Sequence, residues 1–285
     1  MPGATLVVMS RTISIGNVLP VLFLALATLA PAQTPEAPPD TPAQHNLPTD
    51  GALNPALPTV FIVGDSTARN GTNLGWGDHF APLFDTTRIN VANRAIAGRS
   101  SRTYINEGHW TKVLAEMKSG DYLLLQMGHN DGGDLGGAKP RGTLKGIGDE
   151  SQDVPQTTGP LAGQTETVHT YGWYIRKMID EAKAKGVHPM LLTLTVRNIW
   201  TDGKIERDMG YTGYIRQLAD QEHIPVIDMA TLEADHLQTL GQPQTALLFP
   251  IDHTHTSPEG ADLNAHAVAD ALGVAHVPLT AYLKP

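Results

Sequence analysis

The chain has 285 residues, with 20 Lys plus Arg against 29 Asp plus Glu and a formal net charge of −9. That acidity argues against a general nucleic-acid binder and against a basic membrane-surface protein. The absence of cysteine excludes disulfides, thiolate nucleophiles and Cys-ligated zinc.

Arg11 is the only charged side chain before Glu36, and residues 18–30 (VLPVLFLALATLA) form a short apolar run ending in Ala30-Pro31-Ala32. A basic start, an apolar stretch too short to span a bilayer comfortably and an A-x-A site predict a signal peptide over 1–32 and a secreted or periplasmic protein. Residues 33–57 carry many prolines with Ala, Thr and Asp and no hydrophobic period. That is the composition of a disordered linker, so one folded domain is expected over 58–285.

Strands are predicted at 59–63, 88–93, 122–127, 189–195 and 226–227. Helices are predicted at 77–83, 110–118, 166–185, 211–221, 230–239 and 258–272. The runs YLLLQM and PMLLTLT read as strands buried on both faces. Their alternation with helical patterns predicts an α/β domain with a parallel sheet between two helical layers. Residues 132–163 are glycine-rich with little apolar pattern and read as a surface excursion near a functional edge.

Open parallel sheets bind ligands beyond the carboxyl ends of their strands. The predicted strand ends carry Gly64-Asp65-Ser66, Ala97-Gly98-Arg99 and Gly128-His129-Asn130-Asp131. Ser66 is therefore a candidate nucleophile, and a serine hydroxyl needs a base within hydrogen-bond reach. The stretch FPIDHTHTSPEG at 249–260 offers Asp252 and His255 at the entry to a helix, with Thr256 or Ser257 as N-cap and Pro258 in the first turn. A three-residue spacing lets the carboxylate meet the imidazole from one side and turn its other nitrogen toward Ser66. His253 is the rival base, although adjacent residues point apart. A solvated or capping loop, and a metal site built on Asp252, His253 and His255, are the other readings. Gly98 can offer a backbone N–H and Asn130 an amide to an oxyanion; a turn glycine and a turn-forming asparagine are the plainer alternatives. Asp65 is expected to brace its loop by hydrogen bonding.

Four segments, GDST at 64–67, AGRSSRTY at 97–104, GHNDGG at 128–133 and FPIDHTHTSPEGA at 249–261, resemble the blocks of the SGNH (GDSL-type) hydrolases. More narrowly they resemble rhamnogalacturonan acetylesterases, over roughly residues 58–272. The resemblance implies a three-layer, flavodoxin-like α/β fold with a central parallel sheet of about five strands. It implies Ser66, Asp252 and His255 as the catalytic residues, and an oxyanion hole from the Ser66 and Gly98 N–H groups and the Asn130 amide. No metal or organic cofactor is implied. The implied reaction is deacetylation of the rhamnogalacturonan backbone of pectin, so the partner is an acetylated polysaccharide rather than nucleic acid or membrane. Thr67 stands where leucine is usual.

An O-acetyltransferase, an esterase of another acetylated glycan such as xylan, and a non-catalytic glycan-binding module are the alternatives. Trp76, Trp110, Trp173 and Trp200 are not spaced as a binding stripe. Rhamnogalacturonan carries a carboxylate on every second sugar, so an acidic protein must place cations near the site. Arg99, Arg102 and Arg197 are the expected substrate-binding cations, and the stretch from Lys139 onward leaves substrate choice open.

Overall fold

The structure is a computed structural model that describes residues 1–3, 47–48 and 50–285. The chain divides into two compact units, 1–34 and 35–285. The expected signal peptide falls outside the described residues except for 1–3, as does most of the expected linker. Among the described residues no helix is long and apolar enough to cross a membrane.

The second unit contains the strands β1 (Thr59–Gly64), β2 (Asn90–Asn93), β3 (Tyr122–Gln126), β4 (Ser151–Pro155), β5 (Thr165–His169), β6 (His188–Leu192), β7 (Trp200–Thr201), β8 (Lys204–Ile205) and β9 (Val226–Ile227). Its helices are α1 (Ser101–Asn106), α2 (His109–Glu116), α3 (Tyr171–Ala184), α4 (Thr212–Glu222), α5 (Met229–Leu240), α6 (Gln242–Leu247) and α7 (Pro258–Val274). Five strands form one sheet in the order β2-β1-β3-β6-β9, and every neighbouring pair is parallel. Counting these strands alone, the order is that of the flavodoxin-like doubly wound fold, whose ligand crevice opens where the chain reverses direction beside the first strand.

The apolar runs are continuous because both faces of the sheet are covered. Phe61, Val63, Leu123, Leu125 and Leu191 point into a core closed by α2, α3 and α4. Val60, Ile62, Leu124, Met190 and Leu192 point the other way, into a core closed largely by α7. Successive strand residues alternate sides, so each run fills two layers at once.

The structure departs from the predicted elements in three places. Trp76 and Gly77 donate their N–H groups to the carbonyls of Thr67 and Ala68, at 3.1 and 3.0 Å. Pro82 lacks the N–H that a helix over 77–83 would donate to the Asp78 carbonyl, and two short 3₁₀ turns, Trp76–Asp78 and Ala81–Leu83, stand there instead. The helix expected from residue 166 starts at Tyr171, capped by the Thr170 hydroxyl. Residues 165–169 (TETVH) are instead one strand of an antiparallel pair with β4, so the glycine-rich excursion carries structure of its own. Two short helices, α1 and α6, were not expected.

Residues 50–57, read from sequence as linker, are tied to the domain. The Asp50 carboxylate accepts from the Asn93 N–H at 2.6 Å and from Arg94 at 3.4 Å, and Leu53 packs against the first core.

Candidate active site

β1 ends at Gly64, and the chain turns at once: the N–H groups of Ala68 and Arg69 return to the Asp65 carbonyl at 3.2 and 3.1 Å. This turn sets Ser66 at the carboxyl edge of the sheet, 9 % exposed. Far along the chain, Ser257 caps α7 through the Gly260 N–H, with Pro258 in the first turn. Thr256 donates its hydroxyl to the Leu74 carbonyl at 3.1 Å, holding the 252–257 loop against the segment that follows Ser66.

The imidazole of His255 bridges the two. Its Nε2 lies 2.9 Å from Ser66 Oγ, and its Nδ1 lies 2.7 Å from Asp252 Oδ2. The other Asp252 oxygen accepts the N–H groups of Thr254 and His255, both at 2.7 Å, so the carboxylate is fixed before it meets the ring. Burial pushes the Asp252 carboxyl up, but the His255 ring and these backbone donors outweigh it and hold the carboxyl below its usual range. A carboxylate on Nδ1 places the ring proton there and leaves Nε2 as an acceptor for the serine hydroxyl. His253, the rival base, is linked through its carbonyl to the Asn198 N–H at 2.7 Å; its ring makes no hydrogen bond among the described residues. Among the described residues no group of three or more His, Asp or Glu is positioned to hold a metal ion.

Gly98 sits in a turn at φ +77°, a conformation that a residue with Cβ adopts only under strain. The backbone N–H groups of Ser66 and Gly98 have no acceptor among the described residues. Asn130 follows β3, is 8 % exposed, and donates from Nδ2 to the Arg99 carbonyl at 2.9 Å, which fastens it to the Gly98 turn and leaves a second amide hydrogen. Two free backbone donors and an amide beside an activated hydroxyl can stabilise the oxyanion that forms when an ester carbonyl is attacked.

Sequence reasoning missed a buried pair beneath this site. Asp65 turns from Ser66 and accepts from the Thr67 N–H and hydroxyl, both at 2.9 Å. Its second oxygen lies 3.3 Å from His129 Nδ1, close enough for an ion pair though not aligned as a hydrogen bond. Burial opposes charge on both, yet Asp65 is held below its usual range by His129, and His129 is raised above its own by Asp65. His129 Nε2 reaches the Thr195 carbonyl at 3.1 Å, so the pair ties β1, β3 and the segment after β6 together. Its only signal in the sequence was a histidine beside Asn130.

The three expected substrate-binding arginines are engaged elsewhere. Arg99, 4 % exposed, pairs with Glu107 at 2.7 Å; Arg102, 1 % exposed, pairs with Glu166 at 2.8 Å; Arg197 pairs with Glu206 at 2.7 Å. Each guanidinium is committed to a carboxylate, and Arg102 also binds the Leu135 and Gly142 carbonyls. The arginine that does stand at the Gly98 turn is Arg141, inside the excursion.

Residues 62–263 match the model of the GDSL-like Lipase/Acylhydrolase family. The chain is 32 % identical over 215 residues to a rhamnogalacturonan acetylesterase of Emericella nidulans, covering 75 % of this chain and 84 % of that protein. It is 30 % identical over 230 residues to the probable rhamnogalacturonan acetylesterase YesY of Bacillus subtilis, covering 78 % and 95 %. Among solved structures, protein YXIM of Bacillus subtilis superposes with a TM-score of 0.61 at 25 % identity, over 78 % of this chain and 58 % of that one.

Proposed function

The chain belongs to the GDSL-like lipase/acylhydrolase family, and we propose that within it the protein is a carbohydrate acetylesterase whose substrate is acetylated rhamnogalacturonan. The observation that carries this reading is the continuous line from Asp252 through His255 to Ser66, with contacts of 2.7 and 2.9 Å. The substrate part rests on the two rhamnogalacturonan acetylesterase relatives.

In the proposed reaction Ser66 Oγ attacks the acetyl carbonyl while His255 Nε2 takes the hydroxyl proton. Asp252 holds the ring in the required tautomer and offsets the imidazolium charge that develops. The oxyanion of the tetrahedral intermediate is met by the N–H groups of Ser66 and Gly98 and by the Asn130 amide. Collapse breaks the bond to the sugar oxygen, which leaves with the proton from His255. Water then attacks the acetyl-serine by the same route, returning Ser66 and releasing acetate. Such a polymer lies outside the cell, which agrees with export directed by residues 1–32; the amino-terminal sequence of the exported protein would test that part.

Acetate release from acetylated rhamnogalacturonan tests the reading. Ser66→Ala and His255→Ala should each lose at least ~10³-fold in turnover with an unchanged melting temperature, and His253→Ala should not. Near-normal turnover in folded Ser66→Ala would remove the nucleophile. Full activity on acetylated xylan with none on rhamnogalacturonan would keep the esterase and remove the substrate.

A further inference from the structure

Among the described arginines, Arg141 alone meets neither a carboxylate nor an aromatic face. Among the described residues its side chain makes one hydrogen bond, a long one from Nη1 to the Gly98 carbonyl at 3.5 Å. A guanidinium has five N–H donors in a planar fork, so nearly all of its donor capacity is unspent. The half-buried guanidinium stands over the turn that presents the Gly98 N–H; a Cβ built on Gly98 would have Arg141 Nη1 as its only neighbour within 4 Å.

The side chain is held in that position. Gly142 donates to the Asp134 carbonyl at 2.8 Å and Thr143 to the Asp131 carbonyl at 2.9 Å, so the backbone around Arg141 is pinned to the segment following Asn130. The Gly142 carbonyl accepts from the buried Arg102 at 2.7 Å. The two segments are so close that a Cβ on Gly142 would lie 1.9 Å from the Gly133 carbonyl oxygen, and one on Gly133 would lie 3.2 Å from Arg141 Cγ. The aliphatic stem therefore runs along Gly133 and delivers the charged head to the rim of the oxyanion turn.

A cation fixed beside an ester-cleaving site, in a protein of net charge −9, has a chemical purpose if the substrate is anionic. We propose that Arg141 is a specificity-determining residue that takes, through its planar fork, the carboxylate of a uronic acid in the acetylated chain. This orients an acidic polysaccharide so that the acetyl group lies over Ser66. The inference rests on the polysaccharide acetylesterase reading and adds the group that recognises the charge.

The experiment compares wild type, Arg141→Gln and Arg141→Lys on three substrates. These are acetylated rhamnogalacturonan, the same polymer with its carboxyl groups chemically reduced to alcohols, and 4-nitrophenyl acetate. Wild type should favour the acidic polymer over the reduced one by about tenfold in kcat/KM, as one charge-assisted pair allows. Added salt should shrink that preference. Arg141→Gln should erase it, and Arg141→Lys, a point charge without the fork, should keep part of it. Equal action of wild type on both polymers would overturn the inference and leave the esterase standing. A loss in Arg141→Gln of the same size on both polymers and the aryl ester would make Arg141 an oxyanion or structural group, and would overturn it too. Inertness of wild type toward both polymers, with the aryl ester cleaved, would overturn the substrate reading and this inference with it. Melting temperatures of the variants separate these outcomes from misfolding.

Discussion

Asn130 spends one amide hydrogen on the Arg99 carbonyl, and that bond fixes the plane in which its second hydrogen is presented. In the proposed reaction a donor fixed in this way acts on charge that appears only at the transition state. Asn130→Ala should therefore lower kcat by about 10²–10³ while moving KM little; an unchanged kcat with a raised KM would take Asn130 out of the oxyanion hole. Residues whose partners are near in sequence were readable before the structure. Asp252 and His255 share a three-residue spacing that lets them meet, and the structure brings them together at 2.7 Å. The carboxylates that claim the arginines were not readable: Glu107, Glu166 and Glu206 take Arg99, Arg102 and Arg197, and no local pattern announces which cation a fold will consume. The stretch left open for substrate choice does contain Arg141, but only packing against Gly133 and Gly98 distinguishes it from any surface arginine.

At the level of elements, the site is a set of loops at strand ends, and the pairing of Asp65 with His129 joins the loops after β1 and β3. Removing one member of a buried pair strands the other charge, at a cost of about 3–5 kcal/mol. Asp65→Asn and His129→Gln should each lower the denaturation midpoint, and the double variant should lose clearly less than the sum. Additive losses would mean that the two do not act as a pair. The titration signs follow from the shifts. The raised His129 contributes stability fully below its ordinary value of 6.5 and loses it as pH rises through the higher folded value. The depressed Asp65 contributes above its ordinary 3.8 and loses it as pH falls through the lower folded value. The sheet strands were legible because burial on both faces leaves uninterrupted apolar runs. The antiparallel pair was not, because TETVH precedes a true helix without a breaker, and its β-branched pattern is too short to compete with the helical period that follows.

Across the whole molecule, two buried carboxyls add to how stability responds to pH. Glu233 is fully buried, accepts the Val196 N–H at 2.8 Å, and is pushed up to about 8 by burial. Asp131, held by the Ser101 hydroxyl and N–H, is pushed up to about 7, again chiefly by burial. A carboxyl raised on folding stabilises below its unfolded value and loses that contribution as pH climbs through its folded value. The melting temperature should accordingly decline between about pH 5 and pH 8. Glu233→Gln keeps an acceptor for Val196 and removes the ionisation, so its melting temperature should fall less steeply over that interval. An unchanged slope would assign the pH response to other groups.

Ser66 and His255 touch across 189 residues of chain. During synthesis the nucleophile's turn, the Gly98 turn and Asn130 all leave the ribosome well before any base exists to activate them. Closing so long a loop is slow, because its entropy must be surrendered before the contact rewards it. Catalytic competence should thus be the last property the nascent or refolding chain acquires, appearing when α7 docks and brings its capping loop onto the 66–76 segment. Hydrolysis of 4-nitrophenyl acetate should return in step with amide protection in α7 and behind that of β1 and β3; hydrolysis regained ahead of α7 would contradict this order. On this order the hydrolase stays inactive until the fold is complete, and any cut in the chain that frees α7 should silence it again.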